Sequence, residues 1–376
     1  MIEIDNIPKD LRIAIYGAGE VGLLVKHYIE ANRPDLKIVC FFNKEAKVDF
    51  EGIPVYSIKK IQEFKSTFDL VIVASCSNVG IMETILRHYG VNNSIHLNNV
   101  FINEVDAAED CTRVDASVKI VEIQEILSSD KSKKIFELIA NAYKCKHCLK
   151  ELADYLKEQN KMIYPKNHEQ YLDFIDKASI KTIVSAGAYD AGTSLLFLDQ
   201  LKNVEKIYAF EPMYDKFKCD INDSIVVESG KVEIIKKGVF DTTSEVSFYE
   251  NDYASIISKP TDFLPYSTVV IQAVSIDDFV EENNINKIDF IKMDVEGCEL
   301  PALRGAEKTI AAHRPQLAIC IYHSYGELFE IPLYLKNLLE GYKFEVYHYS
   351  LNTIWESVLY AIPDELCQQD EMQASL

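Results

Sequence analysis

Short apolar runs rich in β-branched residues alternate along this chain with stretches whose apolar positions recur every three or four residues, the periods of buried strands and half-buried helices. Near the start, Arg12–Tyr16, Ile38–Phe42 and Leu70–Ser75 are of the first kind, and Leu23–Glu30 and Gly80–Tyr89 of the second. That alternation predicts a small parallel, Rossmann-like α/β domain over residues 1–110. From Val118 to Ala178 no strand pattern is visible. Ile135, Leu138, Ile139, Ala142, Leu149, Leu152 and Leu156 keep helical spacing there, so residues 111–178 are expected to be a helical linker. Its end, Met162–Tyr171, is aromatic and polar and is as well suited to a lid as to a plain connector. Strands then resume at Thr182–Gly187, Lys206–Phe210, Val232–Lys236, Ile288–Met293, Gln316–Tyr322, Phe344–Tyr349 and Ser357–Ala361. Helices fall at Thr193–Leu201, from Ser275, from Glu299 to His313 and near Leu333–Glu340, with a polar hairpin at Ser247–Glu250. A second, larger doubly wound α/β domain over residues 179–367 is the expectation, and the polar residues 368–376 read as a disordered tail.

Composition narrows the function classes. A hydrophobic share of 48% is ample for two cores, whereas a formal charge of −20 makes nucleic acid and anionic membranes poor partners. The opening MIEIDNIPKD lacks the basic and apolar regions of a signal peptide, and no apolar run approaches a membrane span, so a cytoplasmic protein is expected. Nine scattered cysteines do not make a disulfide framework. Cys145 and Cys148 flank His147 in a lysine-rich helical stretch with no second ligand pair, which reads as two cysteines on a helix face rather than as a zinc site.

The first glycine turn sets Gly17, Gly19 and Gly22 as G-x-G-x-x-G between a strand and a helix, where free backbone amides can meet a phosphate. Where an acid would hold an NAD ribose, Asn43 and Lys44 stand instead. A bound nucleotide or nucleotide-sugar and a turn kept for packing are both open. Phe41-Phe42-Asn43 and Gly52-Ile53-Pro54-Val55 give about the first hundred residues a resemblance to the small Rossmann-like domains attached to sugar-modifying enzymes. That resemblance implies one alternative function, a nucleotide- or NAD-dependent sugar-modifying enzyme.

The second half places its chemistry on Ile288–Gly305, where a buried strand delivers Asp294 and Glu296 onto the loop that leaves it. In open α/β sheets ligands lie beyond the carboxyl ends of strands. A second glycine turn runs Gly187-Ala188-Tyr189-Asp190-Ala191-Gly192, and Glu211 ends the next strand, where a carboxylate can accept hydrogen bonds from both ribose hydroxyls. The crevice is rich in acids (Asp190, Glu211, Asp241, Asp294, Glu296) and poor in Lys or Arg, a field that repels pyrophosphate and favours a cationic nucleoside such as S-adenosylmethionine. Asp294, Glu296 and His323 are the candidate bases for taking a hydroxyl proton. Asp294 and Glu296 could also offer two oxygens to a divalent ion, but no third ligand is evident and no metal is expected. Lys292 is expected to point away from the sheet's carboxyl edge, with a salt bridge as its plain role, and Tyr322, Tyr325, Tyr347 and Tyr349 to stack on a sugar or simply to pack.

These residues resemble the FkbM family of methyltransferases. The matching stretches are Ala186-Gly187-Ala188-Tyr189-Asp190, Tyr208-Ala209-Phe210-Glu211-Pro212 and, most specific, Ile288–Glu299. Arg314-Pro315, Ile321-Tyr322-His323 and Glu356–Ala361 also fit, so the resemblance spans about residues 170–363. It implies a class I methyltransferase fold, S-adenosylmethionine as cofactor and O-methylation of a sugar or glycan hydroxyl, with Ser185, Gly187, Ala188, Tyr189, Asp190, Glu211 and Asp241 around the cofactor. Ser185 stands where the family usually has Asp; it can hydrogen-bond a methionine ammonium but brings no charge. A degenerate methyltransferase acting as a binding module is therefore a further alternative. A homo-oligomer is compatible with the sequence.

Overall fold

Ile13, Ala14, Ile15 and Tyr16 are all buried, as a strand covered on both faces requires, and they form β1 (Arg12–Tyr16). In this computed structural model residues 7–75, 79–96, 117–143, 146–160, 169–249, 256–257, 268–351 and 353–367 are described. They divide into two units, one from residues 1–106, 153–167 and 350–352, the other from 107–152, 168–349 and 353–376. Among the described residues no helix is long and apolar enough to cross a membrane.

The first unit continues with α1 (Glu20–Asn32), β2 (Lys37–Asn43), β3 (Lys47–Phe50), β4 (Ile53–Ser57), β5 (Leu70–Val73), α2 (Val79–His88) and β6 (Ser94–His96). Its sheet runs β3-β4-β2-β1-β5-β6, parallel except for β3 against β4. The expected Rossmann-like order is present. The short β3 and β6 carry too few apolar residues in a row to predict strands, and Pro54 speaks against β4.

In the second unit α3 (Ser117–Ile126) and α4 (Asp130–Ala142) come first; α5 (Lys146–Asn160) follows them in the chain. Next come β7 (Thr182–Ala186), α6 (Gly192–Gln200), β8 (Lys206–Phe210), α7 (Tyr214–Phe217), α8 (Asp220–Ser229) and β9 (Val232–Ile235). A separate small sheet, β10 (Gly238–Val239), β11 (Ser244–Tyr249), β12 (Ile256–Ile257) and β13 (Thr268–Val274), takes the place of the single expected hairpin. The main sheet then resumes through α9 (Ile276–Glu282), β14 (Phe290–Met293), α10 (Glu299–Arg304), α11 (Glu307–His313), β15 (Gln316–Cys320), α12 (Glu327–Leu338), β16 (Tyr342–His348) and β17 (Ser357–Pro363). Its order is β16-β17-β15-β14-β7-β8-β9, with β17 antiparallel to both neighbours and the rest parallel.

Two local differences have physical causes. The single helix expected from Glu299 to His313 is two, interrupted at Gly305, where a Cβ would lie 2.1 Å from the carbonyl oxygen of Phe240 and only glycine fits. The helix expected near Leu333 begins six residues earlier, at Glu327, and runs through Pro332, whose missing N–H makes it look like a helix start. The helices α3 and α4 lie on the edge strand β16: Ser128 N bonds Phe344 O, and Ser132 Oγ bonds both N and O of Val346. An otherwise open sheet edge is covered that way. The tail 368–376 and most of the Met162–Tyr171 stretch lie outside the described residues, as does Cys145.

Candidate active site

The main sheet reverses its winding between β7 and β14, the place where an open α/β sheet leaves a crevice. Register pairs Ala186 with Met293, so Gly187 and Asp294 leave the two strands side by side. Gly187 has φ +75°, and a Cβ there would lie 1.7 Å from the Asp294 carbonyl oxygen; the glycine is required by this backbone contact. The turn then passes through Tyr189 and Ala191, both left-handed, before α6 begins. Asp190 Oδ1 accepts from Gly192 N at 3.0 Å, so its carboxylate stabilises the start of that helix.

Glu211 stands across this turn. It is 8% exposed, and its two carboxyl oxygens accept from the backbone N–H of Tyr189 and of Met213, each at 3.0 Å. Burial raises its pKa while those amides oppose the rise. Each oxygen has a further lone pair, so the residue predicted to grip a ribose is both oriented and able to accept. Tyr189 is exposed, its ring stacked on Phe217 at 4.7 Å. Ser185 is fully buried within β7 and its Oγ has no hydrogen-bond partner among the described residues; register sets it beside Lys292. Asp241 is exposed at the far end of α10, near Gly305, and no described contact joins it to Glu211 or Asp294.

Beyond β14 the side chains converge on Asp294. Tyr171 Oη donates to its Oδ2 at 2.8 Å and Tyr322 Oη to its Oδ1 at 3.0 Å, while Lys292 Nζ stands 3.9 Å away. Burial alone would raise the Asp294 pKa, but Lys292 and His323 outweigh it and hold the carboxyl well below the usual carboxylate range. Asp294 is thus a permanently ionised anchor with poor basicity. His323 lies between three acids: Nδ1 is 3.0 Å from Glu299 Oε1, and Nε2 is 3.4 Å from Asp294 Oδ1 and 3.5 Å from Glu296 Oε2. These are ion-pair approaches without aligned hydrogen bonds. Burial would lower the imidazole, yet Asp294 and Glu299 raise it to about 11, so it is a fixed cation at neutral pH. Glu299, fully buried, uses its carboxylate to accept from Val295 N (2.7 Å) and Gly297 N (3.0 Å), shaping the loop that carries Glu296. Glu296 itself is held at φ +55° with a side chain 46% exposed, and burial of its carboxyl, with Asp294 and Glu299 adding, lifts it to about 7.

Asp294, Glu299 and His323 offer ligand atoms within 4.8 Å of one another, a spacing a divalent ion could bridge. A metal would take one imidazole nitrogen and leave the other facing an acid, the usual arrangement of a ligating histidine. Protonated, the same ring is instead a cation set between carboxylates.

Of the three candidate bases the structure gathers all, and separates them by charge. Lys292 does not point away as expected: it is 1% exposed, with Nζ donating to the carbonyls of Ala186 (3.1 Å) and Gly187 (2.7 Å). Tyr171 and Glu356 join the site in addition to the residues expected there; Gln170 links them, donating to Glu356 Oε2 at 2.5 Å and to Tyr171 Oη at 3.3 Å. Gln170 and Tyr171 end the stretch read as lid or connector and Glu356 opens one that fits the family resemblance, but only the fold brings them to Asp294. Tyr171, at the described end of that stretch, is buried. Tyr322 serves Asp294 through its hydroxyl, while Tyr347 and Tyr349 pack against each other and Tyr325 against Phe329.

In the first unit, Gly17 (φ +121°) would place a Cβ 2.5 Å from Ala74 O, and Gly22 would place one 2.0 Å from Gly17 O, so packing accounts for both. Gly19, the residue before α1, has nothing within 4 Å.

Residues 185–346 match the model of the methyltransferase FkbM domain. Among solved structures, the chain is similar to a methyltransferase FkbM from Methylobacillus flagellatus KT, at 18% identity over 94% of this chain and 90% of that one, with a TM-score of 0.51. It is also similar to fibrillarin from Aeropyrum pernix in complex with natively bound S-adenosyl-L-methionine, at 12% identity over 51% of this chain and 71% of that one, TM-score 0.33. No curated protein matches the chain at a significant level.

Proposed function

From a chain that carries an FkbM methyltransferase domain over residues 185–346, we propose an S-adenosylmethionine-dependent O-methyltransferase acting on a sugar or glycan hydroxyl. The observation that carries this is the pairing of a buried, amide-oriented Glu211 beside the Gly187 turn with a half-open Glu296 across the same crevice. S-adenosylmethionine, when bound, supplies a methyl group activated by its sulfonium charge. Glu211 would hold the ribose, the Gly187–Gly192 turn would line the rest, and the unpartnered Ser185 hydroxyl is a polar group left to satisfy. The surplus of carboxylates over Lys292 and His323 suits a cationic ligand.

On the acceptor side, Glu296 takes the hydroxyl proton: it is the acid open to a ligand, and at about 7 its basicity suits neutral pH. His323, already protonated, cannot; it holds Asp294, Glu296 and Glu299 together. Asp294 fixes the hydroxyls of Tyr171 and Tyr322, which burial keeps protonated as donors. Alignment of acceptor oxygen and methyl carbon supplies most of the acceleration, and proton removal typically about 10²–10⁴-fold. The test is calorimetric titration with S-adenosylhomocysteine, then mass spectrometry of a panel of sugars and glycans incubated with S-adenosylmethionine. Binding together with a gain of one methyl group supports the assignment. Binding with no methylated product from any acceptor favours a binding module, and protection from heat by NAD alone favours a nucleotide-dependent enzyme working from the first glycine turn.

A further inference from the structure

The ammonium of Lys292 is a buried charge that the methyl-transfer chemistry leaves without a task. At 1% exposure it is of a kind rarely buried without a partner. Its hydrogen bonds go not to a carboxylate but to two carbonyls, those of Ala186 and Gly187, which open the turn beside Glu211. It also stands 3.9 Å from Asp294 Oδ2 and 5.0 Å from the centre of the Tyr171 ring, whose hydroxyl donates to the same carboxylate oxygen. Register puts Ser185, not an acid, next to it. The carboxylates that feel its charge are therefore those of the crevice: Asp294 and Glu296 on the loop after β14, Glu211 at the end of β8 and Glu356 before β17.

A hydrophobic side chain would fill this space without the desolvation of an ammonium. Hydrogen bonds to Ala186 O and Gly187 O mean that the turn cannot shift unless Nζ follows, and any movement of Nζ changes the field at Asp294. The Asp294 carbonyl, packed where a Gly187 Cβ would be, ties the same two segments a second time. We propose that Lys292 is a positioning residue that fastens the methyl-donor turn, through the carbonyls of Ala186 and Gly187, to the acceptor-side carboxylate Asp294, so that a change on one side is felt on the other. This rests on the assignment of the Gly187–Gly192 turn and Glu211 to the methyl donor.

A double-mutant cycle tests it, with S-adenosylhomocysteine affinity as the readout and far-ultraviolet circular dichroism as the check on folding. Lys292→Met is expected to lower affinity at least tenfold. Asp294→Asn, on the acceptor side, is expected to change it at least threefold in the wild-type background and by less than 1.5-fold once Lys292 is Met. A lysine that only filled space would give additive effects, and additivity, or an Asp294→Asn change that survives in Lys292→Met, overturns the proposal. If Lys292→Met does not fold, Lys292→Gln, which keeps N–H donors and loses the charge, is read in the same cycle with the same criteria. A wild type that binds no S-adenosylhomocysteine overturns the donor assignment itself, and the role of Lys292 with it; a wild type that binds while both cycles are additive overturns only the latter.

Discussion

Gly187 and Asp294 touch through their backbones: the place a Cβ would take on Gly187 lies 1.7 Å from the carbonyl oxygen of Asp294, in a residue already at φ +75°. The crevice is closed at its base by this contact, which brings the turn from β7 against the loop from β14. Gly187→Ala is expected to destabilise the second unit by about 3 kcal/mol or more, since both the left-handed backbone and the clash oppose it. Gly19→Ala, where a Cβ meets nothing within 4 Å, should stay within about 1 kcal/mol of wild type. Chemical denaturation of the two variants gives the comparison; equal losses would contradict the distinction.

Glu211→Ala removes an acceptor already oriented by two amides. We expect S-adenosylhomocysteine affinity to fall at least tenfold, about 1.4 kcal/mol, in calorimetry. Glu211→Gln keeps one acceptor oxygen and should fall less. Unchanged affinity in Glu211→Ala would place the nucleoside elsewhere.

The alternation of β14, loop and α10 was legible because apolar residues, acids, glycine and proline follow one another within a dozen positions. The same stretch reads as one helix where the structure has two, and the break falls at Gly305 against the Phe240 backbone, a contact no local pattern shows. Asp294 and Glu296 stand out as chemistry in the sequence but cannot be told apart there, since burial and the distant His323, Tyr171 and Tyr322 that act on them leave no local mark. For Lys292 the expected direction was wrong because its partners are carbonyls of another strand's turn, which leave no mark in side-chain patterns.

Three carboxyls, Glu296, Glu327 and Glu356, are lifted by burial to about 7 from an ordinary value of 4.5. The folded state therefore holds protons that the unfolded chain releases between these values, and stability from these groups is full below about 4.5 and lost as pH rises through about 7. The melting temperature is expected to fall from pH 5 to pH 8. Glu327→Gln, at a 93% buried site whose Oε2 has no partner, should flatten that fall and raise stability at pH 8 by roughly 1–3 kcal/mol. A melting temperature that rises over the same interval would reverse the sign and refute the account.

The bridging position of His323 bears on metal dependence. With Nδ1 toward Glu299 and Nε2 toward Asp294, a protonated His323 already places a positive charge among these carboxylates. Treatment with EDTA followed by desalting is expected to leave S-adenosylhomocysteine affinity and methyl transfer within about twofold of the untreated protein, roughly 0.4 kcal/mol. A loss restored by added magnesium or manganese would instead show that Asp294, Glu299 and His323 bind a metal.

The base can be identified from a pH profile. If Glu296 takes the acceptor's proton, kcat/KM should rise with pH and level off above about 7, the point at which that carboxyl is ionised. A histidine base held at about 11 would instead give a rate still climbing through pH 10. Glu296→Gln should lower kcat roughly 10²–10⁴-fold while leaving S-adenosylhomocysteine affinity near wild type, because the proposed function sets Glu296 toward the acceptor and Glu211 toward the nucleoside. His323→Gln removes a positive charge that restrains Glu296, so the midpoint of the acid limb should move upward, not vanish. A limb that disappears in His323→Gln and persists in Glu296→Gln would assign the proton transfer to the imidazole.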